Sequence, residues 1–102
     1  MGNGAVEGEG SVEVVNNERK SRFEAEVEGK VAVADYRRAG DRIEFTHTEV
    51  PEALRGKGVG EALAREGLEH ARREALDVVP TCRFIAEYID RHPEYQDLVA
   101  ER

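Results

Sequence analysis

The period of the apolar residues changes once along this chain, at Pro51, and the change separates a strand-forming half from a helix-forming half. Over residues 21–28, Phe23, Ala25 and Val27 fall on one side of an extended chain and Arg22, Glu24, Glu26 and Glu28 on the other. That is the period of two of a half-solvated antiparallel strand. Residues 30–36 carry Val31-Ala32-Val33-Ala34, apolar on both faces, which predicts a more central strand. Residues 42–50 return with Ile43, Phe45 and His47 on one face and Arg42, Glu44, Thr46 and Thr48 on the other. A shorter strand over 11–15 precedes these, with turns at Asn16-Asn17-Glu18, Gly29 and Ala39-Gly40-Asp41.

Beyond Pro51 the spacing is helical. From near Gly58, the residues Gly60, Leu63, Ala64, Gly67, Leu68, Ala71 and Ala75 form one stripe, and Glu61–Arg65 and Glu69–Arg73 make i,i+4 pairs on the wet side. A glycine in mid-helix costs about 1 kcal/mol relative to alanine, so Gly67 predicts close approach to the strand beneath. Residues 76–82 read as a further strand in which Pro80, having no N–H, must lie at an edge or where a neighbour has splayed away. Residues 83–92 form a short helix with Phe84, Ile85, Tyr88 and Ile89 inward, ended by Pro93, after which Tyr95, Leu98 and Val99 dock the tail. The expected fold class is α+β: an antiparallel sheet continued by one βαβ crossover, whose hand is right in about 98% of cases and whose strands are parallel. One long helix and a short C-terminal helix complete it.

At 102 residues the chain supports one domain, read as a flexible leader over 1–10, which is glycine-rich and nearly free of apolar residues, and a folded unit over 11–102. Neither an apolar run of about 18 residues nor a signal-peptide pattern is present, so the expected location is cytoplasmic with no membrane partner. The formal net charge is -7 with basic residues dispersed among acids, which removes the electrostatic footprint of a nucleic-acid binder. One cysteine, Cys82, and histidines at 47, 70 and 92 give no metal-ligand spacing, so no metal is expected. His70, among Glu66, Glu69 and Arg73, reads as solvated.

The chemistry concentrates where the period changes. Arg55-Gly56-Lys57-Gly58-Val59-Gly60 leads into the long helix, and its glycines let backbone N–H groups turn toward an anion at the positive end of the helix dipole. Neither G-x-x-x-x-G-K-[ST] nor G-x-G-x-x-G is present. Arg55-x-x-Gly58-x-Gly60 resembles the pyrophosphate-binding R/Q-x-x-G-x-G/A loop of the GNAT acyltransferase superfamily. With residues 23–27, the stretch Thr46-His47-Thr48-Glu49-Val50-Pro51, Val79-Pro80-Thr81-Cys82 and His92-Pro93-Glu94-Tyr95, the chain is similar to the small single-domain GNAT-like N-acetyltransferases over about four fifths of its length.

That resemblance implies a reduced GNAT-like fold in which the strands ending at Val50 and Cys82 diverge, and acetyl-coenzyme A as cosubstrate. The pyrophosphate would lie on Arg55, Gly56, Lys57, Gly58, Val59 and Gly60, and the pantetheine arm on the backbone of Glu49 and Val50. It also implies transfer of acetyl to an amine, with Cys82 near the thioester. Larger GNAT enzymes carry helices and strands around the acceptor site that are missing here. The other candidate catalytic residues are His47 as proton acceptor, against a core role suggested by its register with Ile43 and Phe45, and Tyr88 as proton donor to the leaving thiolate, against packing. The rival class is a coenzyme A-binding or protein-interaction module with little turnover, and the expected state is a monomer or weak homodimer.

Overall fold

The structure, a computed structural model, describes residues 12–100. The leader expected at 1–10 lies outside the described residues. Five strands, β1 (Val14–Asn17), β2 (Arg22–Val27), β3 (Lys30–Ala39), β4 (Arg42–Glu49) and β5 (Asp77–Pro80), form one sheet in chain order. Pairing is antiparallel through β4 and parallel between β4 and β5. Helix α1 (Val59–Arg73) is the crossover, and α2 (Arg83–Arg91) follows β5. A 3₁₀ turn at Glu52–Leu54 precedes the glycine loop, and another at Pro93–Leu98 closes the chain.

The first strand lies further along than its pattern suggests. Asn16 and Asn17 pair with Phe23 and Arg22 rather than turning the chain, because Tyr36 Oη donates to Asn16 Oδ1 at 2.7 Å and Asn17 Nδ2 to Glu24 at 3.0 Å. Strand β3 runs to Ala39, beyond Tyr36.

Helix α1 covers one face of the sheet. There Phe23 opposes Ala34, Ala25 opposes Ala32, Tyr36 opposes Phe45, and Ile43 stands beside Val78, all buried. Gly67 is where helix and sheet come closest: a Cβ built on it would stand 2.9 Å from Phe45 Cε1 and 3.6 Å from Phe23 Cε1. The penalty of glycine in a helix is thus offset by an approach that a side chain would forbid. His70 is not simply solvated, since its ring meets Phe23 edge-on with centroids 5.5 Å apart. The stripe ends at Ala71; Ala75 is exposed, outside the helix, with φ +56°.

Residues 31–34 lie in the middle strand of the sheet, as expected, but only one of their two apolar faces is covered. Ala32 and Ala34 are buried, but Val31 is 45% exposed, because the opposite face of the sheet carries no helix. Strand β5 lies at the edge of the sheet, one of the two places open to Pro80. Asp77 N donates to Asp41 O at 2.8 Å, which turns Asp77 toward β4, while Val78 O faces the outer side and accepts from Ala100 N at 2.8 Å. Pro80 shares the parity of Val78, so its nitrogen faces the outer side as well.

Candidate active site

The geometry of the site begins with a bulge. Asp35 pairs with His47 and Tyr36 with Phe45, so β3 advances one residue while β4 advances two, leaving Thr46 as the extra residue. Thr46 Oγ1 donates to Asp35 O at 3.4 Å. The bulge reverses the alternation of everything after it. His47, which an unbroken strand would place inward beside Phe45, turns out to solvent with its side chain 61% exposed and Nε2 at 3.4 Å from Glu49 Oε1. Thr48 turns inward opposite Ala34, and its Oγ1 lies 3.2 Å from Cys82 Sγ.

At the same point β5 leaves. The last parallel pair is Phe45 with Pro80, and the chain then turns into α2 with Cys82 as the capping residue. Thr81 Oγ1 donates to Glu44 Oε2 at 2.6 Å, pinning the end of β5 to β4 just before they part. That bond and the one from Arg37 hold the Glu44 carboxyl below its usual pKa range. Beyond Phe45, β4 keeps only β3 as strand partner among the described residues.

The space opened by this divergence is a cleft of about 490 Å³ lined by His47, Thr48, Glu49 and Val50 of β4 and its end, by the glycine loop, and by Phe84 of α2. The loop is tied down from below. Leu54 is fully buried, Lys57 N donates to Leu54 O at 3.3 Å, and Arg55 Nε donates to Val50 O at 3.2 Å. Gly56 and Gly58 have φ of +80° and +79°, a conformation that side chains resist, and Gly58 caps α1. The N–H groups of the first turn of α1 have no partner within the helix, and Gly58, Val59, Gly60 and Glu61 present this end to the cleft. Backbone donors, the helix dipole and the Arg55 guanidinium thus converge on one end of the cleft, an arrangement suited to a multiply charged anion.

Most of the residues expected to bind cosubstrate are brought together. Glu49, Val50, Arg55, Gly56, Gly58, Val59 and Gly60 all line the cleft. Lys57 does not; its ammonium lies 4.0 Å from Glu28. Of the candidate catalytic residues only His47 lines the cleft, and it does so as an exposed side chain rather than a core one. Cys82 is 7% exposed and stands behind Thr48. Tyr88 is buried and stacked on His92, centroids 3.9 Å apart, with His92 Nδ1 donating to the Tyr88 carbonyl at 2.8 Å.

Four lining residues, Thr48, Leu54, Glu61 and Phe84, escape the sequence reading. Thr48 falls on the wrong face of a regular strand, and no local signal marks the bulge. Phe84 belongs to the inward stripe of α2, yet its ring is only half-buried, resting over Gly60, where a Cβ would meet Phe84 Cζ at 2.8 Å.

The model of the GCN5-related N-acetyl-transferase family matches residues 22–98, from β2 to the last turn. The chain belongs to this family. It is 34% identical to Protein NATD1 of Mus musculus over 92 residues, covering 87% of this chain and 84% of that one. It is also 34% identical to Protein NATD1 of Homo sapiens over 93 residues, covering 88% and 82%. A GCN5-like protein of Staphylococcus aureus, solved by NMR, superposes with a TM-score of 0.69 at 28% identity, covering 89% of this chain and 90% of that one. The GNAT fold expected from the loop and strand order is therefore the fold of this chain, and the family as a whole generally uses acetyl-coenzyme A.

Proposed function

We propose that this protein is an N-acetyltransferase that moves the acetyl group of acetyl-coenzyme A to an amine. The observation that carries the reading is the cleft itself: an anion-receptive loop and helix end continuous with the unpaired flank of β4. On this reading the loop amides and Arg55 hold the pyrophosphate, and the strand end at Glu49 and Val50 pairs with the amides of the pantetheine arm as an added strand would. The cosubstrate supplies the thioester. The neutral amine attacks its carbonyl carbon, the C–N bond forms, the C–S bond breaks, the electron pair of that bond departs with sulfur as the coenzyme A thiolate, which takes a proton from solvent, and the amine proton leaves through His47, oriented by Glu49, or through water. The place of Cys82 behind Thr48 favours direct transfer in a ternary complex over an acetyl-cysteine intermediate.

Titration calorimetry with acetyl-coenzyme A, followed by mass spectrometry of a panel of amines incubated with both, tests this. Binding with one-acetyl mass gains on an amine is the expected result, and a folded protein that binds no coenzyme A overturns the proposal. One observation favours a second reading, a coenzyme A-binding module with little turnover: Cys82 and Tyr88 both lie outside the cleft lining. Binding without product on any amine would select it.

A further inference from the structure

The face of the sheet turned away from α1 alternates valines with carboxylates. Val15 pairs with Glu24, Glu24 with Val33, and Val33 with Glu49, so one cross-strand row runs from the β1 edge to the mouth of the cleft. The neighbouring row pairs Glu26 with Val31. Glu13, Val15, Glu24, Glu26, Glu28 and Val31 line a groove of about 510 Å³ on this face. Val15, 57% exposed, and Val31, 45% exposed, are the large hydrophobic residues left open among the described residues. Cations reach part of the groove: Arg22 lies 2.6 Å from Glu24, Lys20 also acts on Glu24 through its charge, and Lys57 lies 4.0 Å from Glu28. Among the described residues no ion pair reaches Glu13 or Glu26.

We propose that this face docks an extended, lysine- or arginine-bearing segment of a partner polypeptide and leads a lysine amine toward Glu49 and the cleft. The valines supply apolar area and the glutamates select a cationic occupant. A second copy of this chain would bring a net charge of -7 against the same acids, so charge disfavours self-association here. The row from β1 to β4 spans three strand spacings, roughly 14 Å at about 4.8 Å each, which four or five extended residues cross. The docking stands on the face alone; only the destination of the amine rests on the acetyltransferase reading.

The test titrates the ¹⁵N-labelled full chain with the peptide acetyl-(Lys-Val)₃-Lys-amide, with acetyl-(Glu-Val)₃-Glu-amide and spermidine alongside. The expected result is shifts centred on the amides of Val15, Glu24, Glu26, Val31 and Val33 with the lysine peptide only, weakened several-fold by raising salt from 50 to 200 mM. The double change Glu13→Lys with Glu26→Lys should weaken binding roughly tenfold or more while the rest of the spectrum is kept. Absence of shifts, equal binding of the glutamate peptide or of spermidine, or dimerisation through this face in sedimentation overturns the proposal. Acetylation of the lysine peptide is followed separately. Docking without acetylation counts against the acetyltransferase reading and leaves the docking surface standing, whereas acetylation undiminished in the Glu13→Lys, Glu26→Lys protein overturns the docking surface and leaves the enzyme.

Discussion

Strand β4 is two structures in one element. From Arg42 to Phe45 it is paired on both sides, with Ile43 and Phe45 buried under α1. From His47 to Glu49, among the described residues, it is paired on one side only, its alternation reversed, its side chains lining a cleft. The first half is built as a core is built, where any gap or excess volume is felt by neighbours on every side. The second half keeps the same extended backbone but withdraws one partner, leaving polar backbone available to something outside the chain. The same contrast recurs along α1: Gly67 meets the buried ring of Phe45, and Gly60, two turns earlier, meets the half-buried ring of Phe84.

The largest expected effect lies at the cleft end. Gly58→Asp forces a side chain into φ +79° and sets a carboxylate among the loop amides. Affinity for acetyl-coenzyme A in calorimetry should fall about 100-fold or more, equivalent to about 2.7 kcal/mol, while the fold persists in circular dichroism. Retained affinity would remove the loop from the binding site.

Next come the two helix glycines, which set the halves against each other. Gly67→Ala drives a methyl against Phe45, which is 1% exposed and has nowhere to go. Overpacking of about 1–3 kcal/mol should exceed the gain of about 1 kcal/mol in helix propensity, for a net loss of up to about 2 kcal/mol in urea unfolding. Gly60→Ala should leave stability within about 0.5 kcal/mol, since Phe84 can swing into the cleft and the propensity gain offsets the move. Its cost should appear instead as weaker cosubstrate binding. Equal destabilisation by both changes would erase the distinction between packed and open ends.

Cys82→Ala should cost about 1 kcal/mol of stability through lost packing and keep most of the acetyl transfer to a confirmed acceptor, with no acetyl-enzyme in the wild-type mass spectrum. Loss of turnover with binding intact would restore the thiol to the mechanism. The smallest effect concerns Glu44, in the packed half. Its folded-state pKa is lowered from 4.5 chiefly by the Thr81 hydroxyl and by Arg37, so its contribution to stability is present above about pH 4.5 and is lost as pH falls through the folded value. The stability difference between wild type and Glu44→Gln should therefore be largest near neutrality and shrink on acidification. A difference independent of pH would rule out the carboxylate as the tie between β4 and β5.

Local pattern was enough for the elements. Alternation in 22–27, helical spacing in 59–73, and the turn glycines each report on contacts a few residues away, and they determined strand, helix and loop nearly as observed. The glycine loop was legible for the same reason, since positive φ at Gly56 and Gly58 and the free N–H groups of α1 are properties of six consecutive residues. Even Pro80 announced an edge or a splay by the N–H it lacks. What the sequence by itself did not determine depends on partners far along the chain. The extra residue at Thr46 exists only in the register between β3 and β4, and it decides that His47 faces solvent while Thr48 meets a cysteine 34 positions away. Which face of β3 is covered, and that Cys82 and Tyr88 lie behind the cleft rather than in it, were decided by where one helix could lie on a twisted sheet. Packing is a property of the whole molecule, and no window of the sequence contains it.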